Sequence, residues 1–286
     1  MSAPFTPKDY ALAFVGLGMA VFPAHTARKT AEGYICNCRF GAVCKAPAKH
    51  PVAQFAPRGL KDASKDPAIV RKMFGGFGFR NVAIATGGIS GIVVLDVDAK
   101  NGGYESLTAL EAQHGALPPT LNFNTGGGGK HYVFRHPGSE IRNSAGQLGS
   151  GLDVRGDGGY IVAPPSRHIS GGLYQLAEGC DLDTPIAPPP AWLLRLMQQS
   201  GGNSASLGKP TVANLVRGTL PGGQRNTSIT RIVGHLLAKR VDPHICLDLM
   251  LAFNEARCNP PLDASEVAGI VASIDHRAFT QLINRP

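Results

Sequence analysis

Val93-Val94-Leu95-Asp96-Val97-Asp98 is an apolar run that ends with two carboxylates two residues apart. In a strand, residues i and i+2 project from the same face, so Asp96 and Asp98 are expected side by side at the end of a strand whose other residues want burial. Two ionised carboxylates that close repel each other, and the arrangement makes sense mainly with a cation between them. A hard divalent ion such as Mg²⁺ or Mn²⁺, shared by carboxylates and substrate phosphates, is the usual occupant. The alternative, on this segment alone, is a strand that ends in two solvated aspartates before the turn Asn101-Gly102-Gly103.

The chain around this stretch has 286 residues, enough for one large domain or two smaller ones. A hydrophobic content of 43% supports a real core, and 17% charged residues is too few for a disordered chain. A net charge of +8 favours a polyanionic partner: nucleic acid, nucleotides or an anionic surface. The apolar segment from Ala11 to Phe22 is too short to span a bilayer and lacks the basic flank and cleavage pattern of an export signal. A cytoplasmic protein with no membrane partner is therefore expected.

Several segments read as strands: Gly18 to Pro23, Asn81 to Thr86, Gly91 to Asp98, Thr120 to Asn124, Lys130 to Arg135 and Gly159 to Ala163. Helices are expected at the start of the Ala11 segment, over Asp66 to Phe74 with Asp66-Pro67 as cap and first turn, and over Glu105 to His114. Many strands with few helices indicate an α+β domain. Residues 200–210 are rich in Gly, Ser and Asn and read as a linker between domains 1–199 and 211–286. Beyond it the pattern is helical: Ser228 to Lys239, Pro243 to Arg257 and Ala264 to Phe279, a small all-α domain.

A second motif runs Thr125-Gly126-Gly127-Gly128-Gly129-Lys130-His131-Tyr132-Val133-Phe134-Arg135. Glycines such as Gly129 let backbone approach a phosphate, and Lys130, His131 and Arg135 bring donors to it. It is not a Walker P-loop, because Asn124 and His131 stand at the wrong places and the following residues alternate like a strand. A glycine-rich hairpin is the plain alternative. A third motif, Gly151-Leu152-Asp153-Val154-Arg155-Gly156-Asp157 and on through Pro164-Pro165-Ser166, adds the carboxylate of Asp153, with Arg155 on the same face if extended. Asp157 fits a turn former.

The loop at 25–57 carries Cys36-Asn37-Cys38, then Cys44 and His50. Three cysteines and a histidine within fifteen residues of a reducing-compartment protein suggest structural Zn²⁺ rather than disulfides. His25 is the reserve ligand. Cys180, Cys246 and Cys258 are scattered and read as ordinary thiols.

Taken in order, Val94-Leu95-Asp96-Val97-Asp98, then Gly129-Lys130-His131-Tyr132-Val133-Phe134, then Gly151-Leu152-Asp153-Val154-Arg155 resemble the archaeo-eukaryotic primase superfamily. More narrowly, residues 7–195 are similar to the bifunctional DNA primase/polymerases of phages and plasmids. Gly222-Gly223-Gln224-Arg225-Asn226 and Cys258-Asn259-Pro260-Pro261-Leu262 are similar to the helical primase C-terminal domain that often follows. The resemblance implies an RNA-recognition-motif-like sheet beside a second αβ unit, with the active site in the cleft between them. It implies two divalent ions (Mg²⁺ or Mn²⁺) held by Asp96, Asp98 and Asp153, and nucleotide phosphates bound by His131 and Lys130. Arg155, Ser166 and His168 are further candidates for the same triphosphate pocket. The implied partners are a single-stranded DNA template, NTPs and dNTPs, and a helicase supplied by another chain or a missing region, since no Walker motif is present. A non-catalytic single-strand-binding module and a metal-dependent nuclease are the rival readings. The first must dispense with three aspartates; the second has no need of a triphosphate cradle.

Overall fold

The computed structural model describes residues 6–76, 78–202, 212–216, 220–221 and 225–283. Two compact units divide the chain, Met1–Asn203 and Ser204–Pro286.

The first unit opens with helix α1 (Pro7–Gly16). It starts earlier than the apolar run suggested, because Thr6 and Asp9 cap each other's backbone N–H groups and Pro7 occupies the first turn. Strand β1 (Val21–Ala24) follows. The cysteine segment, expected as loop, begins with a hairpin of β2 (Ala27–Thr30) and β3 (Gly33–Cys36). Helix α2 (Pro67–Met73) has Asp66 as its N-cap, accepting from the Ala68 N–H at 2.7 Å. Next come β4 (Asn81–Ala85), β5 (Ile92–Val97), helix α3 (Gly103–His114), β6 (Asn122–Asn124) and β7 (Lys130–Arg135). The unit is completed by β8 (Ser144–Ala145), β9 (Leu152–Arg155), β10 (Tyr160–Ala163), β11 (Gln175–Leu176) and helix α4 (Ala191–Gly202). The mixed α+β character expected from the pattern is what the structure has. Helix α4 continues through residues 200–202, where the linker reading began; the remainder of that stretch, 203–210, lies outside the described residues.

The strands form two antiparallel sheets, β1-β4-β10 and β11-β6-β7-β5-β9-β8. Because side chains alternate along a strand, β5 supplies two cores. Ile92 and Val94 join Phe14, Met19, Ile84, Phe123 and Val133 in a core with α1, α2 and the smaller sheet. Val93, Leu95 and Val97 face the other way, onto Leu107 of α3 and Trp192, Leu193 and Met197 of α4. The large sheet is thus covered on both sides, which explains why its central strand reads as a nearly continuous apolar run.

The second unit contains α5 (Val212–Leu215), β12 (Leu220–Pro221), α6 (Arg225–Ala238), α7 (Pro243–Arg257), β13 (Cys258–Asn259) and α8 (Ala264–Ile283). Ile229, Val233, Met250, Val267 and Ile270 build its core, with Cys246 and Cys258 buried among them. Buried Asn254 receives the Leu262 N–H at 2.8 Å and donates to the Leu262 carbonyl at 2.9 Å, holding the chain between α7 and α8. Gly222, Gly223 and Gln224, which contribute to the resemblance of this region, lie outside the described residues.

The cores give a direct expectation. Phe123 is fully buried and meets the ring of Phe14 edge-on at 5.9 Å. Phe123→Ala should cost about 3–5 kcal/mol. Trp192 is the chain's single tryptophan and belongs to the first unit, so its fluorescence during urea unfolding reads that unit alone. An unchanged midpoint would contradict the packing described.

Candidate active site

Register across the large sheet assembles the site. Asp96 of β5 lies opposite His131 of β7 on one side and Asp153 of β9 on the other. Directly opposed residues share a face, so three polar side chains form a row on the face whose apolar members, Ile92 and Val94, enter the core. From Asp96 onward that face lines a cleft of about 280 Å³, together with Asp98, Thr125, Gly127, Gly129, Arg155, His168 and Tyr174. An adjoining hollow of about 420 Å³ shares Lys49, Asp96, His131, Arg155 and Tyr174 and reaches Tyr160 and Asn143.

The row is electrostatically tied. His131 Nε2 lies 3.3 Å from Asp96 Oδ1, and Arg155 Nη2 donates to Asp96 Oδ2 at 3.2 Å and to Asp153 Oδ2 at 2.8 Å. Burial opposes ionisation of Asp96, whose side chain is 22% exposed, but His131 and Arg155 outweigh it and hold the carboxyl well below the usual carboxylate range. The second oxygen of Asp153 accepts from the Gly146 N–H at 3.0 Å. Asp98 follows differently from the expected side-by-side pair. It caps the 3₁₀ turn Ala99–Asn101, accepting from the Lys100 N–H at 2.9 Å and from Asn101 Nδ2 at 2.7 Å, while still lining the cleft.

The glycine-rich segment is a hairpin turn between β6 and β7, closed by Thr125 N–H to the Gly129 carbonyl at 2.9 Å and Gly129 N–H to Thr125 Oγ1 at 3.0 Å. A side chain on Gly129 would run into the Val97 carbonyl, and one on Gly126 into Gly172 and His168. The turn therefore presses against β5 on one side and against the loop carrying His168 on the other. Ser170 strengthens the second contact by donating to the Gly126 carbonyl at 2.6 Å.

His168 is buried in the cleft wall. Its Nδ1 lies 3.2 Å from the Ser170 N and 3.0 Å from Ser170 Oγ, so Ser170 anchors the ring by both groups. Burial, then the charges of Lys49 and Lys100, push its pKa down to about 4, against the opposing charge of Asp98. His131 is 5% exposed, and its Nδ1 has no hydrogen-bond partner among the described residues. Tyr174 stands near both imidazoles, 6.0 Å from His131 and 6.1 Å from His168 between ring centroids; burial and the Asp96 charge raise its pKa.

Three expected phosphate contacts lie elsewhere. Lys130 and Tyr132 share the opposite face of β7, with the Lys130 ammonium 5.6 Å from the Tyr132 ring, because adjacent strand residues point apart. Arg135 sits at the far end of β7, paired with Ile92, and donates to the Ile186 carbonyl at 2.8 Å. Ser166 is fully buried and serves β4, accepting from the Val82 N–H at 2.8 Å. Asp157 is a staple of turns, accepting from the N–H groups of Gly88 and Ile141, each at 2.9 Å. Lys49, Lys100, Thr125 and Tyr174 line the cleft without having been singled out in the sequence. Lys49 and Lys100 each neighbour a marked residue, His50 and Asp98; Tyr174 has no local signal.

Cys36, Cys38, Cys44 and His50 each bring one ligand atom to a common point, all within 4.8 Å of one another, and Cys36 Sγ lies 3.6 Å from His50 Nε2. Three thiols and an imidazole at these separations suit a tetrahedral Zn²⁺. Burial pushes the Cys36 thiol up to about 11, whereas at Cys38 the Phe40 N–H and the neighbouring thiols outweigh burial and lower it. His25 stands aside from the cluster. Its Nδ1 meets Asn37 Oδ1 at 2.8 Å and its ring packs on His50 at 4.4 Å.

The buried His168 ring gives a pH expectation. The unfolded chain takes up a proton there as pH falls below 6.5, but the folded protein does so only near 4, so stability is lost across that window. His168→Gln should flatten the fall of the urea midpoint between these limits. Equal slopes in the two proteins would show that the buried ring is not held neutral.

Two family models match the chain: bifunctional DNA primase/polymerase, N-terminal, over residues 11–192, and primase C terminal 1 over residues 213–278. No curated protein matches it. Among the described residues, no helix is long and apolar enough to cross a membrane. The first match spans more than half of the sequence and includes β5, β7 and β9 with their polar row; the chain belongs to the bifunctional DNA primase/polymerase family, nucleotidyltransferases of replication.

Proposed function

We propose that this protein starts and extends strands on a single-stranded DNA template, joining nucleoside triphosphates by two-metal nucleotidyl transfer in phage or plasmid replication. The carrying observation is the row Asp153–Asp96–His131 across three adjacent strands, with Asp98 lining the same cleft. This carboxylate-rich donor set suits hard cations such as Mg²⁺ or Mn²⁺, which Asp96, Asp98 and Asp153 would hold. When bound, such ions lower the pKa of an attacking 3′-hydroxyl and neutralise charge building on the triphosphate.

The protein's own groups support that chemistry. Asp96 stays ionised despite burial, and Arg155 keeps it beside Asp153 by neutralising their repulsion. His168 brings an imidazole to the cleft wall, and His131, also lining the cleft, has a buried Nδ1 without a partner among the described residues. Gly127 and Gly129 bring backbone to the cleft wall, with Gly129 seated against the Val97 carbonyl and Gly127 beside the His168 ring. The adjoining hollow gives room beside the triphosphate for the end of a growing strand.

The test is incubation of the full chain with unprimed single-stranded DNA, Mg²⁺ or Mn²⁺, and labelled NTPs or dNTPs. Dinucleotides and longer products are expected. Asp96→Asn, Asp98→Asn and Asp153→Asn should each lower product formation by about a hundredfold or more, with unchanged Trp192 fluorescence. Near-normal synthesis by Asp96→Ala/Asp98→Ala would remove the active-site assignment.

At the second site, Cys36, Cys38, Cys44 and His50 are read as ligands of structural Zn²⁺, since four protein ligands leave no open position for a substrate. Metal analysis of protein purified without added zinc should give about one Zn²⁺ per chain. Cys44→Ser should lose it and lower the unfolding midpoint. Full thiol titration in a metal-free wild type would refute the site.

A further inference from the structure

Ala48, Lys49 and His50 belong at once to the cysteine cluster and to the wall of the cleft. Ala48 donates its N–H to Cys36 Sγ at 3.4 Å, and His50 supplies the cluster's imidazole. Ala48 is buried with φ 59, a left-handed conformation uncommon for a residue with a side chain. Such a conformation persists only where surrounding contacts impose it. Here they do: the Ala48 carbonyl accepts from Asn81 Nδ2 at 2.8 Å, the Lys49 carbonyl from the Tyr160 hydroxyl at 3.2 Å, and the His50 carbonyl from the His25 N–H at 2.8 Å. Three successive carbonyls are thus pinned by separate elements. The side chain between them is a lysine that lines both the cleft of the three aspartates and the adjoining hollow.

An ammonium on a flexible stem acts as a point charge, and its usefulness to an anion depends on where the backbone puts it. Resting on the nucleotidyl-transfer reading above, we infer that Lys49 contacts the triphosphate of the incoming nucleotide, and that metal held by Cys36, Cys38, Cys44 and His50 sets its position. Nucleotide affinity then depends on a metal that is no part of the catalytic row. With the metal removed, the three thiols and His50 lose their common partner and the Ala48 N–H loses a metal-held sulfur. The carbonyl bonds to Asn81, Tyr160 and His25 remain, but both neighbours of Lys49 lose their tie to the cluster and its ammonium is held less closely to the cleft.

The test is calorimetric binding of an α,β-methylene nucleoside triphosphate, which cannot be transferred, to the full chain in Mg²⁺. Lys49→Ala should weaken binding by about tenfold, the size of one charge-assisted hydrogen bond. Lys49→Arg should recover most of that loss, and both variants should retain wild-type zinc content and Trp192 fluorescence. Wild type stripped by a chelator and returned to Mg²⁺ should show a similar loss, and stripping the Lys49→Ala protein should add little to it. Unchanged affinity in Lys49→Ala overturns the contact, and additive losses overturn the coupling. So does weakened binding of a single-stranded oligonucleotide with intact triphosphate binding, which would assign Lys49 to the template. Wild type purified with no metal on the four ligands overturns the dependence on metal. A wild type that binds no triphosphate removes the nucleotidyl-transfer reading as well, whereas normal wild-type binding matched by Lys49→Ala removes this inference alone.

Discussion

Asp96 is a carboxylate set into the middle strand of a sheet covered on both faces, and everything near it is arranged to keep its charge tolerable. Removing an ion from water is costly unless partners replace the lost solvation. The replacement comes from both neighbouring strands, His131 on β7 and Arg155 on β9, so the charge is stable only while the antiparallel register holds. A slip of one residue in either strand would turn its partner to the opposite face and leave the carboxylate unpaired. The site thus depends on correct pairing of the sheet rather than on a mobile loop.

The loops are fitted to that sheet by close backbone contact. The turn at Gly126–Gly129 can lie against β5 and against the His168 loop because glycine leaves room on both sides. Gly103 and Gly151 do the same at the end of β5, where the Asp98 N–H reaches the Gly151 carbonyl at 2.8 Å and the Asp98 carbonyl accepts from Gly103 at 3.0 Å. These contacts bring Asp98, His168 and the polar row of the sheet to one cavity, although the chain travels from residue 96 to residue 168 between the outer members of that set.

Much of this was legible in the sequence where a single strand carried the information. The bounds of β7 and the alternation of β5 follow from local pattern, and Asp96, Asp98, Asp153 and His131 all line the cleft. Lys130 illustrates the limit of reading motifs by adjacency. It stands next to His131 in sequence but behind the sheet in space, and the alternation that identified the strand also implied that separation. Ser166 was drawn in by its motif, yet full burial commits its hydroxyl to the backbone of β4. Lys49 and Tyr174 escaped notice because their position depends on long-range contacts between loops. Helix α4 has no counterpart among the expected elements; its apolar residues follow the prolines at 188–190.

Asn81 has a mechanical consequence. Its amide donates to the Ala48 carbonyl at 2.8 Å and to the Arg167 carbonyl at 2.9 Å, and its oxygen accepts from the Arg167 N–H at 2.9 Å. One buried side chain at the start of β4 therefore bolts the segment bearing Lys49 to the segment bearing His168. Separating these parts of the wall would strand a buried amide, so the bond pattern ties them together. The 3₁₀ turn after Asp98 is tied differently: Lys100 and Asn101 are exposed, and their bonds to the Asp98 carboxylate are short-range. A single amide therefore couples the placement of the lysine to the placement of the histidine, two groups that lie more than a hundred residues apart in the chain.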